Sequence, residues 1–106
     1  MIIIETPIFT KLITELMNDD DYRQFQEALV FRPDLGDLIR DSGGLRKVRW
    51  KLEGRGKSSG VRVIYYWVSA DDQIRMLYAY AKGKQENLTA AQLAALRKIV
   101  ERWSDG

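Results

Sequence analysis

The chain has 106 residues, 17 lysines and arginines against 15 aspartates and glutamates, a net charge of +2, and neither cysteine nor histidine. A chain of this length predicts one domain, spanning 1–106, able to bury roughly two-thirds of its unfolded surface without staples. The missing cysteines exclude disulfides, thiol catalysis and thiolate metal sites, and the missing histidines leave acid–base work to Lys, Tyr, Asp or Glu.

The run Met1-Ile2-Ile3-Ile4 ends at Glu5, too short for a signal-peptide core, and no later run approaches a membrane span, so a soluble cytoplasmic protein with no membrane partner is expected. Ile2 to Ile4 reads as one strand buried on both faces that pairs with a later strand. Thr6-Pro7 then starts a helix, with Thr6 as N-cap and Pro7 in the first turn. Ile8, Phe9, Leu12, Ile13, Leu16 and Met17 supply its apolar stripe.

Asn18-Asp19-Asp20-Asp21 opens a second helix, its acids complementing the macrodipole. Three adjacent aspartates also suit a hard cation, but the alternating carboxylates and terminal Glu of an ion-binding loop are missing. Tyr22, Phe25, Leu29 and Val30 form the apolar side, and Pro33 ends the helix near Arg32. The two helices should form a hairpin, followed by a loop bracketed by Pro33 to Asp37 and Asp41 to Gly44.

After Gly44 the period changes to two. Val48, Trp50 and Leu52 alternate with Lys47, Arg49 and Lys51, which predicts a strand with apolar residues on the core and three cations opposite. Val61 to Val68 is nearly apolar throughout, as expected for a strand covered on both sides, with Arg62 its exception. Asp71-Asp72 makes a turn, and Ile74 to Ala81 is a third strand with Met76, Tyr78 and Tyr80 on one side. Thr89 and Gln92 form a capping box with Leu88 and Leu93 as hydrophobic staple, opening a last helix that buries Leu93, Leu96, Ile99, Val100 and Trp103. The predicted class is α+β: strand, helix, helix, three strands, helix, with an antiparallel meander packed on helices.

Between Gly44 and Arg62 seven cations (Arg46, Lys47, Arg49, Lys51, Arg55, Lys57, Arg62) face the single acid Glu53, a local +6 that leaves −4 for the rest of the chain. Charge concentrated in this way points to a polyanion. The loop Gly54-Arg55-Gly56-Lys57-Ser58 imitates a phosphate-binding loop, but the glycine required five positions before Gly56 is Lys51 and no helix pattern follows. A Ser-His-Asp triad is excluded, and the acids fall in turns and helix starts rather than as a glycosidase pair.

What remains is cationic: Lys47, Arg49 and Lys51 on one strand face, Arg62 on the neighbouring strand, Lys82 and Lys84 where the third strand ends. Antiparallel neighbours bring such groups within about 5 Å across and 7–8 Å diagonally. A solvated sheet face would explain a lone strand of cations. Arg62 inside an apolar strand asks for more: a guanidinium there needs an anionic partner, no acid at matching alternation offers itself, and a phosphate is the best candidate. Most of the strand tyrosines belong to the core, while Tyr66, by its parity with Arg62, and Tyr80, beside the basic strand end, are candidates for base stacking.

The motifs Gly43-Gly44-Leu45-Arg46-Lys47-Val48-Arg49, the basic glycine loop, Arg62-Val63-Ile64-Tyr65-Tyr66, Tyr80-Ala81-Lys82-Gly83-Lys84 and Leu88 with the closing helix resemble the RelE/HigB toxins of bacterial toxin–antitoxin pairs, nearest the HigB branch. The resemblance spans essentially the whole chain. It implies a RelE-like, microbial-ribonuclease-type fold and a ribosome-dependent endoribonuclease that cuts mRNA in the A site with no cofactor and no metal. Its partners would be the 70S ribosome with mRNA and 16S rRNA, and a cognate antitoxin, a HigA-like helix-turn-helix protein. The family's paired basic positions fall on Lys47 and Arg49, its third-strand arginine on Arg62, and its basic residue after the last strand on Lys82 or Lys84. Arg46, Lys51, Arg55, Lys57, Tyr66 and Tyr80 are the RNA-binding candidates. The tyrosine or histidine that some relatives carry near the C-terminal helix has no counterpart here.

Such a cut needs no histidine. The RNA 2′-OH attacks the adjacent phosphate, so the protein must hold sugar and phosphate in line, stabilise the phosphorane charge and move protons. Arginines suit the charge. Lys47, crowded by Arg46, Arg49 and Arg62, is the candidate base, and Lys82 or Lys84 would assist the leaving oxygen. A ParE-type toxin that poisons gyrase, and a non-catalytic RNA-binding domain, are the alternatives.

Overall fold

The computed structural model describes residues 1–52 and 60–105. Five strands form one sheet in the order β1-β5-β4-β3-β2: β1 (Ile2–Glu5), β2 (Asp37–Leu38), β3 (Leu45–Trp50), β4 (Val61–Val68) and β5 (Gln73–Ala81). Helices α1 (Pro7–Leu16) and α2 (Asp19–Phe31) cover one face, and α3 (Ala90–Asp105) packs on the other. The α+β reading and the antiparallel meander β3-β4-β5 hold, but β1 pairs parallel with β5, so the sheet is mixed. No described helix is long and apolar enough to cross a membrane.

The helix starts are built as their sequences imply. Thr6 Oγ1 accepts from Phe9 N at 3.1 Å with Pro7 in the first turn, and Asn18 Oδ1 accepts from Asp21 N at 2.8 Å. Asp19, Asp20 and Asp21 occupy the first turn of α2, where negative charge meets the positive end of the helix. Among the described residues no group of acids assembles a metal-ligand set. Phe9, Ile13, Phe25 and Leu29 pack against Val48, Val61, Val63, Tyr65, Ile74 and Met76 of the sheet. Ile8 of α1 and Val30 of α2, expected on the apolar stripes, are instead 65% and 45% exposed.

Four expectations about the strands also change. β1 is an edge strand, so only Ile3 turns to the core while Ile2 and Ile4 stay 59% and 41% exposed. The loop after α2 contains β2, a two-residue strand that pairs Asp37 with Lys47 and Leu38 with Arg46. It is held there by Tyr65, whose hydroxyl accepts from Gly36 N at 2.8 Å and donates to the Pro33 carbonyl at 2.7 Å. β3 ends at Trp50, with Lys51 and Leu52 beyond it.

The fourth change concerns β5. The partners of β4 jump from Tyr78 opposite Ile64 to Met76 opposite Tyr65, leaving Leu77 as an extra residue. The bulge reverses the side-chain alternation: Met76 joins the α1 and α2 core, while Tyr78 and Tyr80 turn to the α3 side. The three therefore do not share one face.

At the junction of β1, α1 and α2, Glu5 accepts from the Tyr22 hydroxyl at 2.5 Å and from Thr10 Oγ1 at 2.6 Å. Burial first, then the Glu5 carboxylate, push the Tyr22 phenol above its ordinary value. Burial also raises Tyr65 and Tyr80. A phenol that ionises later in the folded state contributes stability below the unfolded value near 10.0, lost as pH rises beyond it. Urea unfolding should therefore show stability falling above about pH 10. Tyr22→Phe should cost about 1–2 kcal/mol at neutral pH and show a shallower alkaline decline than wild type.

Candidate active site

β3, β4 and β5 turn alternate residues to the α3 side of the sheet, and their register sets cations across three strands. Arg49 stands directly opposite Arg62, and Arg62 directly opposite Tyr80. Lys47, opposite Ile64, lies two residues from Arg49 on the same face and diagonal to Arg62. The ladder continues past Val61, with Lys82 N donating to the Gly60 carbonyl at 2.9 Å. A β-carbon at Gly60 would lie 3.1 Å from Arg62 Nη1 and 3.8 Å from Lys82 Cβ and Cδ, so the guanidinium and the lysine stem both lie over that glycine. Lys47, Arg49, Arg62 and Lys82 are thus gathered at one end of the sheet, beyond the part of it that α3 covers with Leu96, Val100 and Trp103.

Arg62 is only 9% exposed, and among the described residues no carboxylate pairs with it. A buried guanidinium beside a second guanidinium is an electrostatic cost that an incoming anion would relieve. Tyr80 is buried beneath the two arginines. Burial raises its phenol while the Arg62 and Arg49 charges pull the other way, and its hydroxyl lies 3.4 Å from the Glu86 carbonyl. Arg49 and Lys47 are more accessible, so the cluster grades from a buried arginine to a wet rim.

The remaining candidates sit elsewhere. Arg46 is on the opposite face, donating to the Gly36 carbonyl at 2.8 Å with its guanidinium 6.0 Å from the Trp67 ring centre. Lys84 lines a shallow cleft with Leu12, Glu15 and Leu16 of α1, so Lys82 is the basic residue that the fold places beside Arg62. Lys51 is exposed just past β3. Tyr66 shares the face of Arg62 but packs 6.2 Å from the Trp103 ring. A β-carbon on Gly44, whose φ is +113°, would meet the Tyr66 ring at 2.8 Å. Arg55 and Lys57 lie outside the described residues.

Two residues near the cluster were not singled out by sequence reasoning. Asp37 pairs with Lys47 through β2 and so places a carboxylate beside the cation row. A two-residue strand inside a loop has no alternation to reveal it. Asn87, in the connector from β5 to α3, accepts from Lys47 Nζ at 2.9 Å across 40 positions of sequence. Its only signal was its place just before a capping box.

Residues 33–105 match the family described as the RelE toxin of the RelE / RelB toxin-antitoxin system. The chain belongs to the RelE toxin family. The match includes every strand of the cation row and all of α3, and leaves out β1, α1 and all of α2. As a RelE-family toxin the protein pairs with an antitoxin. The expected RelE-like α+β fold is present, and β2, the parallel β1 and the bulge in β5 are where it departs from the expected strand arrangement.

Arg62 is buried with no described carboxylate to pair with it, so its charge costs the free fold stability. Replacement of a buried, poorly compensated cation by an apolar side chain of similar length is often stabilising. Arg62→Met should therefore stabilise the isolated toxin by about 1 kcal/mol, seen as a higher urea midpoint, with no change in the far-ultraviolet circular dichroism.

Proposed function

We propose that this toxin is a ribosome-dependent endoribonuclease that cuts mRNA in the A site and so stops translation. The observation that carries the reading is the opposition of Arg49 and Arg62 with Lys82 alongside. Two guanidinium forks and an ammonium converging on one spot suit a phosphate that gains charge during reaction.

In the proposed step the 2′-oxygen bonds to the adjacent phosphorus as the bond from phosphorus to the 5′-oxygen breaks. The 2′-hydroxyl proton passes to the neutral Lys47 amine, and Lys82 protonates the departing 5′-oxygen. The products are a 2′,3′-cyclic phosphate and a free 5′-hydroxyl. Arg62 and Arg49 hold the non-bridging oxygens, and their share is to favour the phosphorane over the ground-state diester. Tyr80 lies directly opposite Arg62 in the ladder, and burial raises its phenol further above neutrality. Lys51, Arg55 and Lys57 would add contacts to ribosomal RNA on charge alone, weakening with salt as counterions are released. Arg46 and Tyr66 are engaged in packing, which shifts the proposed interface to the remaining candidates. The antitoxin we propose is a HigA-like helix-turn-helix protein.

Primer-extension mapping after induction tests the activity: cuts in phase with codons of translated messages support it. DNA breakage would point instead to a gyrase poison of the ParE type, and neither outcome would leave RNA binding without cleavage. On programmed ribosomes, Arg62→Ala and Lys47→Ala should each lower the single-turnover rate by roughly a hundredfold or more. Wild-type rates in either variant would remove that residue from the mechanism.

A further inference from the structure

Lys47 is not simply a cation on a wet face. Its Nζ donates to Asn87 Oδ1 at 2.9 Å, and Asn87 is the end of a chain of side-chain amides rooted in α3 and β5. Gln85 Nε2 donates both to the backbone carbonyl of Asn87 and to Gln92 Oε1, each at 2.9 Å, so the chain grips the Asn87 main chain and leaves its side-chain oxygen to Lys47. Gln92 closes the capping box with Thr89, accepting from Thr89 N at 3.0 Å while its own N–H donates to Thr89 Oγ1 at 3.1 Å. Gln92 Nε2 finally donates to the Tyr78 hydroxyl at 3.0 Å. A four-carbon lysine stem carries considerable rotamer freedom, and an exposed ammonium has no reason to hold one geometry unless something fixes it.

We propose that Asn87 is a positioning residue: its side-chain oxygen fixes the Lys47 amine at the edge of the Arg49–Arg62 pair, and the Gln85–Gln92–Tyr78 chain fixes Asn87 in turn. The inference rests on the nuclease reading for its catalytic part, whereas the contact itself stands on the geometry. The neutrality of the amide is what suits it to the task. An amide oxygen orients an amine by one hydrogen bond without supplying the counter-charge that would hold the amine protonated, whereas a carboxylate in the same place would do both. Among the described residues the charged and titratable groups around Lys47 are Asp37 of β2, Arg49 of β3, Arg62 of β4, Tyr78 and Tyr80 of β5 and Glu86 of the connector. Arg97 of α3 is engaged with Glu101 at 3.1 Å and with the Asp41 carbonyl at 3.2 Å. Asp37 stands opposite Lys47 in the β2–β3 ladder.

Two variants and two readouts decide the matter. In the free toxin, the titration of the Lys47 amine is followed by nuclear magnetic resonance in wild type, Asn87→Ala and Asn87→Asp; the same spectra report whether each variant is folded. On programmed ribosomes, single-turnover cleavage is measured against pH and against ribosome concentration. Asn87→Asp should move the Lys47 titration to higher pH and carry the alkaline rise of the cleavage rate with it. Asn87→Ala should lower the maximal rate roughly ten- to a hundredfold, as loss of alignment does, with the half-saturating ribosome concentration unchanged. A Lys47 titration unmoved by Asn87→Asp overturns the inference. A moved titration with an unmoved cleavage profile overturns its catalytic part. Absence of cleavage by the wild-type protein would instead overturn the nuclease reading, and the titration alone would then decide the contact.

Discussion

Two arginines are held face to face across β3 and β4, and the register that does so is fixed from the other side of the sheet. On the α1 and α2 face Val48 pairs with Val63 and Trp50 with Val61, and Trp50 meets Phe25 edge to face with ring centres 5.2 Å apart. A slip of one residue would turn these apolar side chains out of the core, so the register has no low-energy alternative. Arg49 and Arg62 inherit their opposition from that constraint. Like charges directly across a ladder disfavour it by tenths of a kcal/mol to about 1 kcal/mol, a small cost beside the burial of the apolar set. The core can therefore hold a cation pair that the pair itself would not choose.

The other side of the cluster depends on a single extra residue. Without the bulge at Leu77, Tyr80 would share the face of Met76, and the position opposite Arg62 would go to a different side chain. The bulge turns Tyr78 and Tyr80 toward α3, where Tyr80 meets the arginines and Tyr78 receives Gln92. The capping box that starts α3 is thereby joined to the sheet, and the connector between them carries Asn87 to Lys47. A local helix signal and a strand irregularity together order the segment beside the cations. Arg75 anchors the far end of α3, its guanidinium 4.4 Å from the Trp103 ring.

Much of the site was legible before any coordinates. Period-two alternation put Lys47 and Arg49 on one face, and the apolar run around Arg62 marked it as buried; both hold. The reading that no acid stood near the cations was incomplete, because Asp37 enters through β2, whose two residues carry no pattern. Arg46 read as one more cation of the patch, yet its parity sends it to Trp67 and the Gly36 carbonyl. The choice between Lys82 and Lys84 could not be made from spacing, and was made by where the ladder with Gly60 ends.

The sequence by itself determined the three helices and every strand but β2, their order, the helix caps, the concentration of charge and the face on which Lys47 and Arg49 lie. Each of these follows from interactions among residues a few positions apart, where periodicity and capping chemistry operate. Only the tertiary structure decided that β1 is a parallel edge strand, that Leu77 reverses the alternation of β5, and that Asp37 and Asn87 flank Lys47. Those features join residues 10 to 71 positions apart, and they are set by what packs on each face of the sheet rather than by any local preference.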